Sequence, residues 1–252
     1  MAEDHLTGMA AAIRAEHTVF SPLTITRTVL SAAGSAYHLL EPGIGVRARL
    51  ARGWTQQLVA YTETMAILSD HPEGDSFGHA KRRRLEIKAS AERHGFRVGA
   101  PRWDARNIYR SQWHIDTKPP KEGDLIADVL ASSGDVGTIL FRYTSAFAHA
   151  QPHAVAFMVA GEPVAVRQGV SRTSIGYGLE RMLLFTMGAA LAVHAAVIRA
   201  CGLFGRDGDE WSQMFRRIML KWAQLSRRLK SSDEVPIGEV ARQLGLWLPT
   251  WG

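Results

Sequence analysis

The sequence predicts a mostly α protein, a bundle of about seven to nine helices in a single domain over residues 1–252, with a basic, loop-rich insertion at about 71–123. Three observations support this fold class. Apolar residues recur every three or four positions through the long segments, Gly and Pro punctuate the ends of those segments, and only one stretch alternates with a period of two. The 252 residues can bury a substantial core in one domain. A hydrophobic fraction of 46% with 21% charged residues is that of a folded protein, not a disordered one.

The elements follow in order. The opening "MAEDHLTGMAAAIRAEH" reads as an amphipathic or capping helix. Over residues 21–40, Leu23, Thr26, Leu30, Ala33, Tyr37 and Leu40 step by three and four, Ser21 and Pro22 suit a helix start, and "EPG" closes the other end. Residues 45–69 carry Leu50, Trp54, Leu58, Tyr61, Met65 and Leu68 at the same spacing. The short turn between these two helices predicts that they pack antiparallel. A charged helix is expected from about residue 76 to 94, ended by Gly95.

Residues 97–123, with Pro101, Pro119 and Pro120 and few periodic apolar positions, read as a loop with short helical turns. "GDLIADVLASSG" is a short helix stopped by Gly134, and "VGTILFRYTSAFAHAQP" is another that Pro152 ends or kinks. Residues 154–170 alternate around "GEP" as a short hairpin, with continued helix as the alternative. A long apolar helix is expected over 174–203, with Gly202 and Gly205 as stops. Residues 209–230 place Trp211, Phe215, Ile218, Trp222 and Leu225 on one stripe, and the tail "VPIGEVARQLGLWLPTWG" adds a last short helix.

The single cysteine, Cys201, excludes an intrachain disulfide and a Cys-rich zinc site, and fits a reducing, cytoplasmic setting. The start of the chain lacks the basic flank and apolar core of a secretory signal. The apolar run 182–198 is at the short limit for a membrane span and reads as a core helix, so no membrane partner is expected. There is no G-x-x-x-x-G-K-[ST], G-x-G-x-x-G, G-x-S-x-G or H-E-x-x-H string, and the ten histidines form no metal-ligand spacing. Hence neither a cofactor nor a metal is expected.

The formal charge of +6 has a location. Between residues 81 and 110, ten basic side chains face three acids. Lys81, Arg82, Arg83, Arg84, Arg102, Arg106 and Arg110, interleaved with Trp103 and Tyr109, are candidate nucleic-acid contacts, and Trp113 is a further candidate for stacking on a base. A solvated helix face is the alternative.

A second set of candidates lies in "LFRYTSAFAHAQPHA". On a helix, Arg142 and His149 project from nearly the same side about 10 Å apart, with Ser145 between them. An imidazole that exchanges protons near neutral pH and a guanidinium that holds a phosphate oxygen suit RNA cleavage without a metal. His153 could assist or cap the turn, and His194, on an apolar helix, reads as a core histidine.

The string from Arg142 to His149 resembles the R-x(4 to 6)-H motif of the HEPN superfamily. "LFRYTSAFAHA" with "LIADVLASSG" before it, and "TRTVLSAAGSAYHLLEPGIGVRARLARG" near the start, are similar to helical proteins of actinobacteria that carry a "YRLLSAVAHG"-like element. The resemblance implies a small helical bundle, commonly a homodimer, that binds or cleaves RNA in a toxin or phage-defence setting. In this chain Tyr143 follows the arginine where HEPN ribonucleases often carry Asn, Asp or His, and Ser31 stands where the actinobacterial proteins commonly carry an acid. The other function class that fits is a non-catalytic helical scaffold binding a partner protein or small ligand.

Overall fold

Eight α-helices form among the described residues of the computed structural model, which are 2–14, 21–103, 109–111, 113–151, 159–167, 170–175 and 179–229. The mostly α expectation is met. Three two-stranded antiparallel ribbons complete the set. Contacts divide the chain into two compact units, Met1–Leu40 with Glu122–Gly252, and Glu41–Lys121. Where the sequence reading takes one domain with an insertion at about 71–123, the separate unit starts a whole helix earlier.

The first unit is built around α2 (Ser21–Leu39), against which α1 (Ala2–Arg14), α5 (Glu122–Val129), α6 (Val136–Ala148) and α7 (Leu179–Leu203) all pack. Its core joins Leu23, Leu30 and Ala33 of α2 to Ile126 and Val129 of α5, Leu140 and Phe147 of α6, and Phe185 and Ala192 of α7. Glycines let these helices close up. A Cβ at Gly137 would stand 2.8 Å from the Ile126 carbonyl oxygen, and one at Gly188 would overlap Leu140 Cδ1, so Leu140 is seated on a bare stretch of α7.

In α7, Leu184–Leu203 is long and apolar enough to cross a membrane by length and composition; its Phe185 and Ala192 are buried in this core, and its Ala189 is buried beside Met9 and Val29. The helix starts at Leu179 and not at 174, because residues 174 and 175 are spent in a strand. It ends as expected on Gly205, at φ +64, although Gly202 lies inside the last turn. α8 (Asp209–Leu229) docks on α7, and Trp211 and Phe215 of the predicted stripe meet His194 there, with Phe215 buried. The Asp207 carboxylate accepts the Asp209 N–H at its start.

The expected hairpin is present, with its turn elsewhere. β5 (Val159–Arg167) and β6 (Val170–Ile175) pair from Val159↔Ile175 to Arg167↔Val170, so the two residues 168 and 169 connect them and "GEP" lies inside β5. Pro163 has no N–H for the ladder, and the register is irregular between Ala160 and Val164, where a ribbon tolerates it.

The second unit pairs α3 (Val46–Ile67) with α4 (Asp75–Arg93). α3 finds its partner within this unit in α4, while the helix over 21–40, its expected antiparallel partner, belongs to the other unit. The loop expected over 97–123 is instead two ribbons of very short strands. β1 (Val98–Gly99) pairs with β4 (His114–Ile115), and β2 (Arg102–Trp103) pairs with β3 (Tyr109–Ser111). Ile115 carries this inward: it is fully buried against Ala51, Leu58, Ile87, Ala91 and Phe96, and its N–H donates to Thr55 Oγ1 at 2.9 Å. Asp116, at φ +58, turns the chain after β4, accepting the Arg97 N–H at 2.9 Å and pairing with Arg47 at 3.0 Å. The Arg97 N–H foremost, then Arg47, hold its carboxyl below the usual range against the effect of burial. The tail after residue 229, where a last helix is expected, lies outside the described residues.

Candidate functional site

α6 turns its two sides to different tasks. Leu140, Thr144 and Phe147 are buried, and Thr144 satisfies its hydroxyl on the Leu140 carbonyl at 2.7 Å. Arg142, Ser145 and His149, spaced by three and four, lie along the other side, with Arg142 and His149 exposed and Ser145 half-buried. Arg142 has no hydrogen-bond or ion-pair partner among the described residues. The acid Asp128 on α5 does not pair with it, and the side chain of Glu180 lies outside the described residues.

His149 is the C-cap of α6. Past it, Gln151 N–H donates to the Ala146 carbonyl at 2.8 Å and Ala150 N–H to the Phe147 carbonyl at 3.1 Å, a Schellman closure that needs a left-handed residue at position 150. The same closure ends α4 on Gly95, at φ +72, and α7 on Gly205. In α6 it falls to Ala150, at φ +48. A non-glycine in this region costs about 1 kcal/mol, so the backbone beside His149 is held in a conformation its own residue disfavours.

The neighbouring surface has a feature that sequence reasoning missed. Arg27 of α2 lies over the Phe141 ring at 4.6 Å, and its Nε donates to Glu122 Oε1 at 3.1 Å, while Nη2 pairs with Glu122 Oε2. The Ser31 hydroxyl reaches the same carboxylate. Burial works against the Glu122 charge, but the Arg27 and Ser31 hydrogen bonds and the Arg27 charge, with a smaller electrostatic influence of His149, hold its carboxyl below the usual range. Arg27 Nη1 is buried without a partner among the described residues. Residues 27 and 31 lie more than 90 positions from Glu122, so no spacing rule points to the set.

Of the candidate nucleic-acid contacts, Lys81, Arg82, Arg83 and Arg84 are on α4, where consecutive positions fan around the helix and only Lys81 and Arg84, three apart, neighbour each other on one face. Arg83 bonds Tyr61 and pairs with Glu86 at 2.6 Å. Arg102 and Trp103 lie on β2, Tyr109 and Arg110 on β3, with Trp103 registered opposite Tyr109. Arg106 and His153 lie outside the described residues. Trp113, the further stacking candidate, already has Lys88 Nζ at 4.8 Å and the Arg84 guanidinium at 5.8 Å from its ring centroid.

His194 has a place of its own in the first unit. Its ring stacks on Phe215 at 4.0 Å and lies nearly parallel to Trp211, and burial lowers its pKa. His194 Nδ1 and Trp211 Nε1 are both buried without a partner among the described residues. Compared with known proteins, the chain matches no family model, no curated protein and no solved structure.

Proposed function

We propose that the chain is a HEPN-like RNA-binding protein and metal-independent endoribonuclease that uses Arg142 and His149. The observation that carries this reading is the exposed strip on α6, where an arginine without an acidic partner among the described residues and a helix-end histidine share one side with Ser145. Arg142 holds a non-bridging oxygen of the scissile phosphate, and Ser145 donates to another. His149 takes the proton from the 2′-hydroxyl as its oxygen bonds to phosphorus. The bond to the 5′-oxygen breaks, that oxygen takes a proton from water, and a 2′,3′-cyclic phosphate is left. Basic residues of α4 supply sequence-independent attraction for the strand. By the same resemblance we read it as the activity of a homodimer in a toxin or defence setting.

Incubating the protein with total RNA in chelator tests the reading. Cleavage that falls at least about 100-fold in His149→Ala and in Arg142→Ala is the expected result. No cleavage by the native chain, or cleavage indifferent to both substitutions, overturns it.

The second reading, a helical scaffold that binds a partner, has its own support. Val46, Arg49, Leu50, Gly53, Trp54 and Gln57 of α3 line a shallow groove, with Val46 and Leu50 exposed. Salt-insensitive capture of a protein partner without RNA binding would favour it.

A further inference from the structure

Within the run Lys81–Arg84, chemistry separates residues that the sequence leaves equivalent. Arg83 is satisfied by Tyr61 and Glu86, an ordinary surface arrangement. Arg84 and Lys88 are one turn apart on the same side of α4, a spacing at which like charges repel. Even so, both are drawn to one indole, that of Trp113. Trp113 is half-buried and packs on the second core with Ile87 and Ile115, so the platform under the two cations is fixed.

Neither Arg84 nor Lys88 has an ion-pair partner among the described residues. Arg84 Nε is buried with no hydrogen-bond partner among the described residues. Two cations gathered on a rigid aromatic, with a desolvated donor that no carboxylate answers, form half of a site whose missing half is an oxyanion. The indole face is taken by the cations, which leaves Trp113 as their support and not as a base-stacking residue.

We propose that Arg84 and Lys88, held together on Trp113, clamp a backbone phosphate of single-stranded RNA. The inference rests on the RNA-binding part of the proposed function and is independent of cleavage. Fluorescence anisotropy of a labelled oligouridine of about 20 nucleotides, titrated in chelator with the full chain carrying His149→Ala, measures binding alone. Adding Arg84→Gln with Lys88→Gln weakens binding about 10-fold or more and lowers the slope of log affinity against log salt by roughly 1.4, about 0.7 per cation. Adding Arg82→Gln with Arg83→Gln instead weakens it by less than about 3-fold.

Lys88→Gln alone, which keeps Arg84 on the indole, lowers the slope by about 0.7 and guards against a folding defect in the double variant. Equal losses in the two double variants, or no loss in either, overturn the clamp while leaving RNA binding in place. Absence of binding by the parent chain overturns both the clamp and the RNA reading. Retained binding with no cleavage by the native chain overturns only the nuclease.

Discussion

The two compact units carry the same number of Lys and Arg, 15 each, but the first has 15 Asp and Glu where the second has nine. The whole surplus of six therefore belongs to Glu41–Lys121. This difference changes what an unpaired cation means. In the balanced unit acids are plentiful and cations find places: Arg27 goes to Glu122, and Arg199 lies over Tyr37 and donates to its carbonyl at 2.7 Å. Arg142 is exposed and without such a partner among the described residues, as are Arg206, Arg216 and Arg217, and it differs from them in sharing the α6 strip with Ser145 and His149. In the basic unit Arg47, Arg52 and Arg83 still find acids, and the informative feature is a pair of cations held on an indole instead, as Arg84 and Lys88 are.

The sharpest way to break this comparison is to unfold the units separately. Leu140 and Leu58 are each fully buried, one in each core. Leu140→Ala and Leu58→Ala should each cost about 3 kcal/mol. Urea unfolding followed by hydrogen exchange should place the first loss in Glu122–Gly252 with Met1–Leu40 and the second in Glu41–Lys121. A single shared transition moved equally by both substitutions would show that the division is not energetic.

Next in size is the charge balance of the first unit. Glu122→Gln leaves Arg27, whose side chain is 14% exposed, with a neutral acceptor, and should cost about 1 kcal/mol at pH 7. Because the folded carboxyl titrates below its ordinary 4.5, it contributes stability above that pH and loses it as the pH falls below 4.5. Thermal melts from pH 6 to 3 should show this acid-side loss shrinking in the variant.

Comparable in size and opposite in sign is Ala150→Gly, which should stabilise by up to about 1 kcal/mol by relieving the left-handed backbone, read from the urea midpoint. If cleavage falls while stability rises, the strain serves His149. The smallest effect concerns His194. Its folded pKa lies below the ordinary 6.5, so the unfolded chain binds the proton more readily and stability, full above 6.5, declines as the pH falls below it. His194→Phe keeps the stack on Phe215, changes stability at pH 7.5 by only a few tenths of a kcal/mol, and should flatten the melting temperature between pH 7 and 5.

Legibility in the sequence followed the range of the interactions. α2 and α8 were legible because their apolar stripes and end signals are local, and the exposed strip of α6 follows from the same helical period. The ribbons over 98–115 were not, since strands of two or three residues carry no period and their pairing is decided by Ile115 reaching the core. The hairpin was visible but its turn was misplaced, because Pro163 looks like a turn residue and instead occupies an irregular strand position. The Arg27–Ser31–Glu122 set had no local signal, and the left-handed Ala150 could not be seen because alanine is the residue least suggestive of it.

The chain leaves the first unit at residue 40 and re-enters it at residue 122. Ser31 touches Glu122, and Leu40 stands nine residues farther on from Ser31, roughly 14 Å by helical rise. A flexible bridge of about six residues would span that gap. The basic body is thus wired as a cassette: excised, it should leave behind a shorter helical protein that still folds and keeps its arginine and histidine, and grafted elsewhere it should carry the surplus positive charge along.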